Sequence, residues 1–561
     1  MSHIKYDRHG MIDMTVGEYL AAAARANPDH PAVKYTDRDY ERTYKQFDEE
    51  CDRVAKGLLS MGIKKGDHVA IWATNYPEWL LTLFSTAKIG AVLVTVNTAY
   101  KVFEAEYLLR QSDTKALVMI GGYKDSNYVD IMNEICPELA SAAPGELKSR
   151  RLPFLKHVIF VGEDTPAGMY NFRDLFTMAK KISNAELRAA KAALSPHDVT
   201  NMQYTSGTTG FPKGVMLTHY NILNNGRSIG DAMKFTPDDR LCICVPFFHC
   251  FGLVLAVMAS LTHTVSMVPV DYYRPKKVMD AIESEGCTAV HGVPTMFIGM
   301  LEHPDFDKYT FKNMRTGIMA GSVCPEKVMR DVVEKMHMRH ITSVYGQTES
   351  SPGCTQTTTD DPLELRVTTV GRRYSNVETK IVDPETGREL GPGEVGEFVT
   401  RGYHVMKGYY KMPEATAQAI DRDGWLHTGD LAAVDENGYY RITGRLRDMI
   451  IRGGENIYPK EIEDFLYTNP KISDVQVVGV PSEQYGEEIC ACIILKEGET
   501  LTEDEVKAFV NKSMAKHKTP SYVLFMDTFP MTASGKIQKF RLKDRAAELL
   551  GLSDKTHTHT A

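Results

Sequence analysis

The chain has no pair of cysteines spaced as C-x-x-C, although it holds ten cysteines. Cys242/Cys244 and Cys490/Cys492 each sit one residue apart in apolar, strand-like runs. This excludes the common zinc and dithiol frameworks and predicts buried free thiols, which suit a reducing cytoplasm. Positive charge is in deficit too. With 65 Lys and Arg against 73 Asp and Glu, the net charge of −8 argues against a nucleic-acid partner. Long apolar runs are missing. The most apolar window, 251–270, is broken by Thr262, His263, Thr264 and Ser266. It predicts a buried helix followed by a strand, with no transmembrane segment. The opening residues lack an apolar stretch and include Asp7, so no signal or transit peptide is predicted. No fixed-period repeat is found, and the closing Thr-His-Thr-His-Thr-Ala reads as a frayed tail.

What is present is an ordinary globular composition, 43% apolar and 25% charged over 561 residues. That length suggests roughly three or four domain-sized units. Residues 15–65 read as a helical opening segment, with three-to-four spacing over Val16–Ala24 and Tyr44–Met61. A clear alternation follows: strand 69–73, helix 77–89 with Pro77 in its first turn and Gly90 past its end, strand 91–96, helix 102–111, strand 116–120. This βαβαβ order predicts a parallel sheet covered by helices.

A polar stretch over 137–153 interrupts the alternation. It resumes with the strand before Thr205 and strands near 241–245, 264–268, 288–291, 316–320 and 341–344. Helices 275–285 and 325–336 lie between them. Two α/β halves with a crevice at their strand ends are predicted. After about residue 365, short strands and turns predict a small β subdomain. Past Arg447 a compact α+β unit is predicted, in which Thr502 and Glu505 form a capping box.

Within this frame lies Thr205-Ser206-Gly207-Thr208-Thr209-Gly210-Phe211-Pro212-Lys213. Glycines let a backbone curl around a ligand, hydroxyls supply donors, and Lys213 supplies a point charge, as a loop around an anion needs. Neither Walker A spacing nor Gly-x-Gly-x-x-Gly can be drawn through it. A flexible surface turn is the other reading of the same composition.

The run resembles the phosphate loop of the AMP-forming acyl-adenylate synthetases, which include acyl-CoA synthetases, luciferases and peptide-synthetase adenylation domains. The family's remaining motifs follow in its order. Tyr345-Gly-Gln-Thr-Glu349 implies that Tyr345 stacks on adenine, Thr348 contacts the α-phosphate and Glu349 holds Mg²⁺, with Thr205 as a second ligand. Gly424 to Asp430 resembles the ribose motif, with Asp430 on the hydroxyls. Gly444 to Asp448 resembles the hinge, with Arg445 on ribose and phosphate and Arg447 as pivot. Gly453 and Gly454 would line a pantetheine channel.

Ser534-Gly-Lys-Ile-Gln-Lys539 matches the C-terminal signature, making Lys536 the adenylation lysine. Val245 to Gly252 matches the segment beside the carboxylate site and brings in His249, histidine being the common switch side chain. The resemblance spans about residues 15–545, and it departs at Val370-Gly-Arg-Arg-Tyr374, where many relatives have Gly-Arg-Pro. It implies an N-terminal adenylate-forming domain over 1–446 and a mobile C-terminal domain over 447–561. The implied substrates are ATP with Mg²⁺, CoA and a carboxylic acid, with a medium-chain fatty acid first and a branched or aromatic acid second. Loading of a carrier protein, light emission, and binding of nucleotide or acyl-CoA without turnover are the rival classes. The chain carries no signal that fixes an oligomeric state.

Overall fold

The computed structural model describes residues 4–205, 212–321, 324–452, 455–482, 484–514, 516–532 and 535–552. Ser206 to Phe211, Gly453 and Gly454 lie outside the described residues. Among the described residues the chain builds two large sheets, of nine and eight strands, then a four-stranded antiparallel sheet and a C-terminal five-stranded one. The fold is α/β with a separate α+β unit at the C-terminal end.

The predicted alternation folds as the eight-stranded sheet. Strands His68–Trp72, Val92–Thr95 and Thr114–Met119 pair in parallel. Helix Pro77–Ile89 lies between the first two, and its sequence defines both ends. Pro77 fills the first position, where its missing N–H costs nothing. Gly90 closes it in the left-handed region at φ 74, donating to Thr86 O. Twelve of its thirteen residues are buried, so it is an interior helix. One of them is Lys88, whose side chain is 0% exposed and whose Nζ lies 2.5 Å from Asp48 and also bonds Asp52. A cation so placed is tolerable only because it is paired, and removing both carboxylates would leave a buried, unpaired charge.

The opening segment departs from expectation. Its two helices form at Val16–Ala26 and Tyr44–Ser60, but strands Pro31–Lys34 and Glu41–Thr43 lie between them. Both join the edge of the nine-stranded sheet, where Val33 sits opposite Met267. The apolar window 251–270 folds as expected, into a buried helix and strand Ser266–Pro269, although its first part, Phe251–Met258, is a π-helix. His291 serves that irregular turn: its Nε2 donates to Leu255 O at 3.1 Å and its Nδ1 accepts from the Ile318 N–H at 3.2 Å. None of the ten cysteines is in a disulfide, and nine are buried. No described helix is long and apolar enough to cross a membrane.

The four-stranded sheet holds Val377–Val382, Gly396–Gly402, Leu426–Val434 and Tyr440–Arg445. Strand Tyr440–Arg445 ends it. After the turn Leu446–Asp448, strand Ile450–Arg452 already belongs to the C-terminal sheet. That sheet packs helices Pro459–Leu466, Glu503–Ser513 and Lys539–Leu549 around its own two small cores.

Candidate active site

Four adjacent parallel strands of the nine-stranded sheet end on one side. Arg240–Ile243 runs into Val245–Cys250, Ala289–Gly292 into Val293, Thr316–Ala320 into Gly321, and His340–Gly346 carries Tyr345. This is the edge where open α/β sheets collect ligands.

Asn75, beyond strand His68–Trp72 of the other sheet, fixes the first loop. Its Nδ2 donates to Val245 O at 3.0 Å and to Val270 O at 3.1 Å, while its Oδ1 accepts from the Phe247 N–H at 2.8 Å. The residue is 3% exposed, so these bonds form away from competing water. Sequence reading missed it, because an asparagine two residues before a helical proline looks like ordinary turn chemistry.

The loop delivers His249. Its Nδ1 accepts from the Phe251 N–H at 3.2 Å and lies 3.5 Å from Cys250 Sγ. An accepting Nδ1 places the ring proton on Nε2. Burial first, and then the charge of Lys536, push the imidazole pKa down to about 3. At physiological pH His249 is therefore neutral, a fixed donor in place of the expected switch. Cys250 Sγ lies 3.7 Å from Thr348 Oγ1.

Thr348 and Glu349 open a short turn past strand His340–Gly346, and both are 8% exposed. Glu349 Oε1 accepts from Tyr409 OH at 2.8 Å. Burial pushes this carboxyl up more strongly than Tyr409 and Lys213 pull it down. The Tyr409 ring also faces Lys213, whose Nζ is 4.8 Å from its centroid. Tyr409 thus bridges Lys213 to Glu349, a role invisible in a sequence where Tyr409 and Glu349 lie 60 residues apart. The loop itself springs from a hairpin in which Thr205 faces Lys213 across the sheet. Tyr107 OH donates to Pro212 O at 3.2 Å.

On the four-stranded sheet Asp430 and Arg445 are direct cross-strand partners. Arg445 Nε lies 3.1 Å from Asp430 Oδ1, and Tyr345 OH donates to Asp430 Oδ2 at 2.9 Å. Burial raises the Asp430 carboxyl, and Arg445 is the largest influence opposing it. Tyr345 packs edge-on to Phe398 at 5.0 Å.

The last component comes from the C-terminal unit. Met531 and Ile537 form an antiparallel bridge, and Lys536 sits on the hairpin it closes. The Thr532 N–H donates to Lys536 O at 2.7 Å, and the Lys536 N–H donates to Thr532 Oγ1 at 3.0 Å. The side chain reaches Gly321: a Cβ there would lie 3.4 Å from Lys536 Cε, 3.0 Å from Val293 and 3.9 Å from Phe251. Burial lowers the Lys536 pKa, as does Arg445, while Cys250, Asp430 and Glu349 oppose the shift. Three cationic and two carboxylate side chains, with Tyr345 and Thr348, thus converge at one crevice. Such a cluster suits a polyanion held beside a reacting centre.

Two family models match the chain: "AMP-binding enzyme" over residues 20–410 and "AMP-binding enzyme C-terminal domain" over residues 461–536. A putative acyl-CoA synthetase, YngI, of Bacillus subtilis (strain 168) is 55% identical, with 97% of this chain and 99% of the relative covered. The mitochondrial medium-chain acyl-CoA ligase ACSF2 of Bos taurus is 43% identical over 96% of this chain and 88% of its own. Among solved structures, ATP-bound MatB from Rhodopseudomonas palustris superimposes with a TM-score of 0.80. It is 29% identical and covers 96% of this chain and all of its own, 100%.

Proposed function

The chain belongs to the AMP-binding enzyme family, as an AMP-forming acyl-CoA synthetase, and on that premise we propose that it activates a medium-chain fatty acid in two half-reactions. In the first, the acid carboxylate attacks the α-phosphorus of ATP, forming acyl-AMP and releasing pyrophosphate. In the second, the thiol of CoA attacks the acyl carbonyl and AMP leaves. The observation that carries this reading is the convergence of Lys536 with Thr348, Glu349, Asp430 and Arg445 at the sheet edge.

Phosphoryl transfer asks a protein mainly for positioning and charge neutralisation. Thr205 to Lys213 hold the β- and γ-phosphates, Thr348 contacts the α-phosphate, and Tyr345 lies against the adenine. Asp430 accepts from the ribose hydroxyls, and Arg445 pairs with ribose and phosphate. The neutral His249 stands beside the carboxylate, and Lys536 bridges acyl and phosphate oxygens. Glu349 and Thr205 would hold Mg²⁺. A buried carboxyl with a raised pKa is a fit for a hard cation, whose charge would offset its desolvation. When bound, Mg²⁺ supplies charge neutralisation on the phosphate oxygens.

We assign residues 1–446 and 447–561 to two domains, with Arg447 as the pivot and Gly453 and Gly454 as the thiol channel. Support comes from the passage of the chain between two sheets within 446–449. Ten cysteines with no disulfide among them favour a reducing compartment such as the cytoplasm.

The test is a panel of acids from acetate to palmitate, with benzoate and coumarate, scored for AMP and thioester. A maximum among medium chains is expected. A preference for benzoate or coumarate would transfer the assignment to aromatic acids, and no AMP from any acid would end it.

Asp430→Asn provides a separate check on the nucleotide half of the site. It keeps the volume but removes the charge facing Arg445 and the ribose. Hydrogen bonds to charged groups contribute about 1.5–3 kcal/mol, so kcat/KM for ATP should fall about 10- to 100-fold. KM for the acid should stay near its wild-type value. A shift in the acid KM alone, read by steady-state kinetics, would contradict the ribose assignment.

A further inference from the structure

The last helix, Lys539–Leu549, begins two residues after the bridge that closes the Lys536 hairpin. Its first residue turns inward. Lys539 Nζ lies 2.5 Å from Glu463 Oε1 and 3.3 Å from the Val477 carbonyl. Glu463 belongs to helix Pro459–Leu466 and is 2% exposed, and the same Oε1 accepts from the Val477 N–H at 2.7 Å. The Lys539 side chain is 22% exposed while the Glu463 carboxylate is 2% exposed, so removing the lysine would strand a buried carboxylate.

Short links join this anchor to the hairpin. The Gln538 N–H, adjacent to Lys539, donates to Pro530 O at 2.8 Å. Beyond it, the two bonds between Thr532 and Lys536 lock the strand that carries the ammonium. Only Ile537 and Gln538 separate Lys539 from Lys536, too few for a displacement at one to be absorbed before the other. A turn further along the helix, Lys543 Nζ lies 2.6 Å from Glu487 Oε1. That second pair holds the same helix to the C-terminal sheet independently of Glu463.

We propose that Lys539, through its pair with the buried Glu463 carboxylate, is a positioning residue that sets Lys536 for the adenylation half-reaction. This rests on the role given to Lys536 above. It assigns Lys539 a purpose specific to one half-reaction, because only that half-reaction uses the Lys536 ammonium.

The experiment measures ATP–pyrophosphate exchange, thioester formation from preformed acyl-AMP, and Tm in Lys539→Met, Lys539→Arg and Glu463→Gln, with Lys536→Ala in parallel. Misplacement of a reacting group by about 1 Å costs on the order of 10²-fold. Lys539→Met should therefore lower kcat for exchange at least about tenfold, leave KM for ATP and acid in place, and spare thioester formation. Glu463→Gln should follow it, and Lys539→Arg, which keeps the charge, should recover most of the exchange. Full exchange in Lys539→Met, with Lys536→Ala inactive, overturns the positioning role alone. Both half-reactions falling in step with Tm also overturns it, as a folding role only. Exchange retained in Lys536→Ala removes the reading of Lys536, and this inference with it.

Discussion

Replacing Lys536 by alanine is expected to lower ATP–pyrophosphate exchange by about 10²–10³-fold, the usual cost of losing a well-placed donor to developing charge. Thioester formation from preformed acyl-AMP should survive, since in the proposed mechanism the lysine acts before the adenylate exists. The structural ground is its seat on a hairpin at the sheet edge, beside Gly321, Val293 and Phe251. The electrostatics add a second readout. Burial holds the Lys536 pKa below the ordinary lysine value, so exchange should fall, as pH rises, earlier than a solvated lysine would dictate. The sign for stability runs the other way. A lysine with a depressed folded pKa destabilises the fold while it is charged, and that cost is relieved as pH rises through its folded pKa. Lys536→Ala should therefore not lower Tm at neutral pH. Exchange left intact would refute the role, and a large drop in Tm would mean the side chain serves the fold.

How much of this could be read beforehand depends on where each feature's information lies. Helices Pro77–Ile89, Val102–Gln111 and Pro275–Glu285 form between the residues their patterns predict. Proline or a capping residue at one end and a break in apolar spacing at the other are local signals. Strands Pro31–Lys34 and Glu41–Thr43 carry no such signal. They are short, and their place is set by an edge that Ser266–Pro269 supplies more than 200 residues later in the chain. The same distinction divides the site. Tyr345, Asp430 and Lys536 lie in contiguous motifs, and the structure brings them to one crevice. Asn75 and Tyr409 hold that crevice together from isolated positions, through bonds to backbone and side chains far away in sequence.

The departure at Val370–Tyr374 also has a physical outcome. Gly371 adopts φ 76, with no room for a Cβ against the Gln356 backbone. Arg372 and Arg373 then pair with Gln356 and Thr355, extending the nine-stranded sheet by one short strand. A glycine is still required there, while the proline of many relatives is not.

Arg447→Pro addresses the second half-reaction. Arg447 lies in the turn Leu446–Asp448, between the last strand of the four-stranded sheet and the first of the C-terminal sheet. It is exposed, with its guanidinium 3.6 Å from Asp448. A proline there fixes φ near −65° and restricts the residue before it. If this segment is the pivot, the conformation holding Lys536 at the sheet edge persists, while the one presenting the thiol channel is lost. Exchange should then stay near the wild-type rate. Thioester formation from acyl-AMP should fall on the order of 10²-fold, as for a reacting group kept out of place. Proline can also distort the turn itself, and that alternative leaves a different trace: both half-reactions would fall together. Rapid-quench measurement of the two steps separates these cases. Equal losses would place the pivot elsewhere, and an unchanged second step would mean that residues 446–448 need not bend for catalysis.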